Sequence, residues 1–199
     1  TEKEEDSEIV FAYEADIEIE QLFVQKEKAY NYDFLEDKIV YVTEPILKKL
    51  ATTDSAPDAV AVGYQKKYDI ELLKTAKRVA LFENIKDLGN LGTILRTATA
   101  FSLDAIILYG NTVDLYNPKT VRASMGSFFH IKKALNITKE KLMEYKKMGF
   151  LIVCGVLSDN TVEYTVPDYK KPVIIVVGNE ANGITDDILK ISDIDVKIP

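Results

Sequence analysis

Apolar residues in this chain fall in short runs, and the runs change character near position 77. Beyond that point, apolar stretches at 79–85, 104–108, 128–131, 150–156 and 173–177 read as buried strands. Between and after them, 91–102, 119–124, 138–148 and 185–191 carry helical spacing. Strands that alternate with helices predict a mostly parallel sheet with helices on both faces, an α/β fold. Before position 77 the pattern is sparser. Ile9 to Tyr13 reads as the tail of a helix, and 21–24, 38–42 and 59–63 as strands. Thr43 and Pro45 start a short helix over 46–51, as a cap and a first-turn proline. Residues 69–76 read as helix or linker. Two domains are therefore expected, a small α/β unit over 1–76 and a larger α/β domain over 77–199.

Two glycine turns stand out, each directly after an apolar strand. The first runs Asp87-Leu88-Gly89-Asn90-Leu91-Gly92 and continues to Arg96; the second is Gly178-Asn179-Glu180-Ala181-Asn182-Gly183 after Val173–Val177. Ligands of open α/β sheets bind at the carboxyl edge of the strands, so two such turns predict a binding cleft.

Composition narrows the setting. Of 199 residues, 47% are hydrophobic, and no apolar run is long enough to span a bilayer. No segment at the start reads as a signal peptide, so a cytoplasmic protein without a membrane partner is expected. The single cysteine, Cys154, lies in an apolar run and reads as a small buried hydrophobe. One histidine and one cysteine cannot supply the usual zinc ligand set, so no metal is expected. The net charge of −7 is uneven: residues 1–76 carry 9 Lys+Arg against 18 Asp+Glu, the remainder 16 against 14. Any nucleic-acid contact must rest on local basic patches in the second part. The opening run Thr1 to Glu8 reads as a solvated end, and Lys132, Lys133, Lys146 and Lys147 as solvated side chains.

The chemistry-bearing residues cluster at the turns. Free amides at a helix start favour an anion, and Arg96, read about one turn into that helix, offers a guanidinium fork to it. The spacing is neither a dinucleotide fingerprint nor a P-loop, and an ordinary βα turn with a surface arginine is the plain alternative. Glu180 has several readings: it holds a cation, orients Arg96, accepts a proton, or simply complements a helix dipole. Lys119 and Arg122, three apart after Asn117-Pro118, form a phosphate clamp or a solvated face.

Asn90-Leu91-Gly92-Thr93-Ile94-Leu95-Arg96-Thr97-Ala98 resembles the first signature of the SpoU/TrmH-type RNA methyltransferases of the SPOUT class. Asn117-Pro118-Lys119 through Arg122-Ala123-Ser124-Met125-Gly126 is similar to that family's middle block, and Gly178 to Gly183 resembles its second signature. Residues 17–65 more loosely resemble the small RNA substrate-binding domain that precedes the catalytic domain in many members. Two departures stand out. Leu88 replaces a proline common in the family, leaving Gly89 and Asn90 in place. The family's third signature, a Ser-Leu-Asn stretch and its helix, is expected just beyond Lys197-Ile198-Pro199.

The resemblance implies a trefoil-knotted parallel α/β domain and a homodimer with the active site at the subunit interface. It implies S-adenosyl-L-methionine as methyl donor and a ribose 2′-hydroxyl of RNA as acceptor, ribosomal rather than transfer RNA. It assigns Arg96, Asn90 and Glu180 to catalysis. It sets the cofactor against Val156, Leu157 and Ser158, against Val177, Gly178 and Asn179, and against Ile198. RNA contacts fall to Lys119 and Arg122. The family account makes the arginine a base; because arginine stays protonated, anchoring a phosphate is the less demanding role for Arg96. A catalytically silent RNA-binding or ribosome-assembly module on the same fold and a tRNA ribose methyltransferase are the alternatives.

Overall fold

The computed structural model describes residues 7–53, 55–66, 70–135, 137–158 and 160–197. Most of the charged opening stretch, Thr1 to Asp6, lies outside them. The chain separates into two compact units, Thr1–Lys67 and Tyr68–Pro199. The stretch expected to close the first domain belongs to the second unit: Leu73 and Ala76, in and after a 3-10 helix at Ile70–Thr75, are buried in its core.

In the first unit, α1 (Ser7–Glu14) precedes β1 (Ile19–Val24), β2 (Ile39–Tyr41), α2 (Glu44–Leu50) and β3 (Ala59–Gly63). The strands order as β2-β1-β3, with β2 parallel and β3 antiparallel to the central β1. Leu22 and Val24 alternate inward from β1 onto Ile9, Tyr32 and Leu35. The segment Lys26–Lys38 winds as 3-10 helix with breaks at Tyr32 and Leu35, whose side chains anchor it in that core. No periodicity marks it in the sequence.

The second unit contains β4 (Arg78–Glu83), α3 (Leu88–Ala100), β5 (Ala105–Tyr109), α4 (Pro118–Ala123), α5 (Ser127–His130), β6 (Lys132–Leu135), α6 (Lys139–Lys147), β7 (Leu151–Gly155), β8 (Val162–Glu163), β9 (Val173–Val177), α7 (Asp186–Leu189) and β10 (Ile194–Lys197). The described strands form one sheet, β6-β5-β4-β9-β7-β10-β8, parallel at every pairing. On one face, Val79, Leu81, Ile107, Ile152, Ile174 and Val176 pack under α6 and α7 through Leu142, Tyr145 and Ile188. On the other, Ile106 and Leu108 pack under α3 and α5 through Leu91, Leu95 and Phe128. Such double coverage makes these strands continuous apolar runs rather than alternating ones. Cys154 points into the first of these cores. Burial pushes its thiol up to about 11, Asp195, Glu83 and Asp193 add to the rise, and a Ser192 hydrogen bond works against it. It is a buried hydrophobe, as its run predicts.

Four sequence expectations change. The apolar run 128–131 is not a strand. Gly126 turns the chain at φ 79°, Ser124 Oγ accepts the Phe128 N–H at 3.2 Å, and α5 forms, so the strand starts only at Lys132. Lys133 is not solvated: it is 5% exposed, donates to the carbonyls of Phe128 and Ile131, and lies over the Phe128 ring. Lys146 pairs with Asp193 at 2.8 Å and caps the Ile191 carbonyl at 2.9 Å. Finally, Ile194–Lys197 is a strand, inserted between β7 and β8 and so flanked by two earlier pieces of chain.

Candidate functional site

The parallel order puts the carboxyl ends of β4, β9 and β7 side by side, and the candidate residues follow those ends. β4 and β9 are in register from Arg78 with Val173 to Phe82 with Val177, so the two glycine turns leave the sheet together.

Asp87 starts the first turn. It accepts the Asn90 N–H at 2.7 Å and caps α3 three residues before the expected start. Gly89 and Asn90 thus lie within the helix rather than ahead of it. Gly92 is there for contact: a Cβ would lie 2.4 Å from Ala123 Cβ and 2.8 Å from the Thr120 carbonyl oxygen. α4 therefore packs directly on the α3 backbone. Its own start is capped by Asn117, which accepts the Lys119 N–H at 2.9 Å, and it carries the exposed Lys119 and Arg122. Thr120, fully buried, donates to the Leu88 carbonyl at 3.3 Å and joins the two helices again.

The second turn folds on itself. Asn179 and Gly183 exchange backbone hydrogen bonds at 3.1 and 2.8 Å. Gly178 lies so close beneath Gly183 that a Cβ would sit 2.2 Å from its carbonyl carbon and oxygen. The Asn179 side chain is 8% exposed and committed inward. Its Nδ2 donates to the Asn84 carbonyl at 3.1 Å, and its Oδ1 accepts the N–H groups of Ala181 and Asn182. Asn179 therefore holds the turn with its side chain and its backbone alike.

One bond joins the turns. Asn90 Nδ2 donates to Glu180 Oε1 at 2.9 Å, while Asn179 Nδ2 reaches the other carboxylate oxygen at 3.4 Å. Asn90 and Glu180 are thus brought together, both exposed. Arg96 is not part of that contact. It lies about two turns into α3, roughly 120° around the helix from Asn90. Its Nη1 approaches Met125 Sδ at 3.2 Å, just beyond α4, where Met125 adopts φ 48°. Arg96 is thus directed toward the end of α4, the helix that carries the exposed Arg122 and Lys119, rather than toward the start of its own helix.

The other candidates line the ends of β7 and β9. Val156 follows β7 and is tied to β10 by its N–H to the Val196 carbonyl at 3.0 Å. Leu157 is 92% exposed and Val177 43% exposed, an unusual pair of apolar side chains at one sheet edge. Ser158 is exposed and Gly178 half-buried, whereas Ile198 lies outside the described residues. The exposed Gly155 beside exposed apolar side chains fits a flat, partly apolar ligand such as an adenosyl group. Among the described residues no cluster of His, Cys, Asp and Glu has metal-binding geometry, and no helix is long and apolar enough to cross a membrane. Sequence reading passed over Glu83, Asn84 and Thr185, which carry the second turn. Only the position of Glu83, a charge at the end of an apolar run, hinted at them.

Residues 77–199 match the SpoU rRNA Methylase family. Over 158 residues the chain is 32% identical to the Bacillus subtilis 23S rRNA (guanosine(2553)-2′-O)-methyltransferase RlmP, covering 79% of this chain and 62% of that protein. It is 33% identical over 132 residues to the Aquifex aeolicus tRNA (guanosine(18)-2′-O)-methyltransferase, covering 64% of this chain and 61% of that one. The crystal structure of an AdoMet-bound rRNA methyltransferase from Sinorhizobium meliloti superimposes with a TM-score of 0.83 at 28% identity, over 96% of this chain and 75% of that chain. The chain spans about three fifths of the length of these sequence relatives.

Proposed function

The chain belongs to the SpoU rRNA Methylase family, and from that premise we propose that it is an S-adenosylmethionine-dependent RNA methyltransferase acting on a ribose 2′-hydroxyl of ribosomal RNA. The observation that carries this reading is the Asn90–Glu180 hydrogen bond, 2.9 Å long, between turns on adjacent strands. It assembles a polar cluster at the sheet edge where two exposed apolar side chains, Leu157 and Val177, offer a surface to a flat ligand.

When bound there, S-adenosylmethionine supplies an electrophilic methyl group. The chain's own residues bring the hydroxyl to it. Arg96, permanently charged, anchors a phosphate next to the target ribose, with Lys119 and Arg122 extending the basic face along α4. Holding the ribose in line with the donor is the larger part of the rate gain. Asn90 holds Glu180 by Oε1 and Asn179 reaches its Oε2, and the exposed carboxylate keeps lone pairs with which to take the hydroxyl proton. The separate settings of Arg96 and of the Asn90–Glu180 pair fit an active site completed across a homodimer interface, with the C-terminal segment threading a knot.

Two observations favour ribosomal over transfer RNA. The match to the rRNA enzyme covers 79% of this chain, more than 77–199 supplies, so it reaches into the first 76 residues. The match to the tRNA enzyme, at 64%, needs little beyond that region. The first unit, Thr1–Lys67, would then act as the substrate-binding domain. Exposed Tyr30, Tyr41 and Tyr64 offer stacking faces for bases where net negative charge makes phosphate binding unfavourable.

Transfer of a labelled methyl group to total RNA from a strain lacking the gene tests the reading, with alkali-resistant sites mapped. A single 2′-O-methyl site is expected, lost on Arg96→Ala by about 100-fold or more in rate. Glu180→Gln is expected to lower kcat while S-adenosylmethionine binding persists. Neither transfer nor cofactor binding would mark a catalytically silent RNA-binding module.

A further inference from the structure

A second carboxylate lies beneath the second turn. Glu83 is the last residue of β4 and is 1% exposed. Its Oε2 accepts the Thr185 N–H at 2.9 Å and its Oε1 the Thr185 hydroxyl at 2.6 Å. Tyr109 is its register partner on β5; burial first, then the charge of Glu83, push its phenol above the ordinary range. Burying a carboxylate is costly, and packing alone would be served by an apolar side chain of similar volume. What this carboxylate supplies is a fixed position for Thr185.

The next residue does the same at the other end of the turn. The Asn84 backbone, at φ 57°, presents its carbonyl to Asn179 Nδ2 at 3.1 Å, and Asn84 Oδ1 accepts the Asn111 N–H at 2.8 Å. Consecutive residues at the end of β4 therefore grip the start and the end of the 178–185 turn. The same strand leads into α3 and Asn90. Glu83, α3, Asn90, Glu180 and Thr185 close a ring, and the place where Glu180 meets Asn90 is set by where Thr185 is held.

We propose that Glu83 and Thr185 are positioning residues for Glu180, acting from beneath the turn without touching the substrate. The consequence for rate rests on the methyltransferase reading; the clamp itself does not.

Thr185→Val, Thr185→Ser and Glu83→Gln in the full protein test it, by kcat and KM for methyl transfer and by hydrogen exchange of the 178–185 amides. Thr185→Val keeps the side-chain shape and removes the hydroxyl donor. It is expected to lower kcat roughly tenfold with KM within about twofold, and to speed exchange in the turn. Thr185→Ser should rescue most of the loss, and so should Glu83→Gln, whose amide still accepts from the Thr185 N–H and donates to its hydroxyl oxygen. Added to Glu180→Gln, Thr185→Val should cost nothing further, because it acts through Glu180. A lowered Tm with unchanged kcat, or a full tenfold loss in the Glu180→Gln background, would overturn the proposal. If the wild-type protein transfers no methyl group, the enzymatic reading fails on its own. The clamp is then decided by exchange, and unchanged rates in Thr185→Val sink it.

Discussion

The two glycine turns meet at one hydrogen bond but are held in different ways. In the first, Asp87 caps the helix that follows it, and the amide it satisfies belongs to Asn90, three residues on. In the second, the grip comes from a strand far back in the chain, through Glu83 to Thr185 and through the Asn84 carbonyl to Asn179. The first is a local structure that any capped helix forms. The second exists only once β9 has paired with β4. A site made of one of each has a cheap half, the helix start, and a costly half, the folded turn, and the costly half carries the carboxylate.

Substitutions at each half should separate them by size. Gly178→Ala is expected to be the most damaging. Its Cβ would meet backbone atoms of Gly183 at 2.2 Å and Ile184 N at 2.5 Å, none of which can swing aside. A loss of about 3 kcal/mol in urea unfolding, the upper end for overpacking, should accompany lost S-adenosylmethionine binding by calorimetry. Gly92→Ala comes next. It pushes α3 off α4, but alanine returns up to about 1 kcal/mol of helix preference, so a net loss of about 1–2 kcal/mol is expected. The added separation of Arg96 from Arg122 should appear as a raised KM for RNA. Asp87→Ala removes only the cap and should cost about 1 kcal/mol with cofactor affinity unchanged. If Gly178→Ala proved as mild as Asp87→Ala, the second turn would be adaptable rather than built, and the contrast would fall.

Much of the larger unit is legible from spacing because its strands are buried on both faces. Such strands appear as uninterrupted apolar runs wherever they pair. That rule also misled: Phe128 to Ile131 is as apolar as a strand, yet Gly126 and the Ser124 hydroxyl bend it into a helical turn. β10 went unread because Asp195 interrupts its apolar pattern; it is a strand because β7 and β8 leave a slot for it. Lys133 reads as solvated from its place in the sequence, and the carbonyls of Phe128 and Ile131 and the Phe128 ring help make its burial tolerable.

The sequence by itself determined which residues stand at the carboxyl edge of the sheet. Strand period, glycine placement and capping residues act over a few positions, and those are what a chain displays in order. It also displayed Asn90, Arg96 and Glu180 as candidates. Tertiary structure decided their company: Asn90 with Glu180, Arg96 with Met125, Asn179 turned inward, and Glu83 buried beneath Thr185. These pairings join residues up to 102 positions apart. Hydrogen-bond partners are set by distance in space: the parallel pairing of β4 with β9 brings the second turn to Glu83, Asn84 and Asn90, and the packing of α4 on α3 brings Met125 to Arg96.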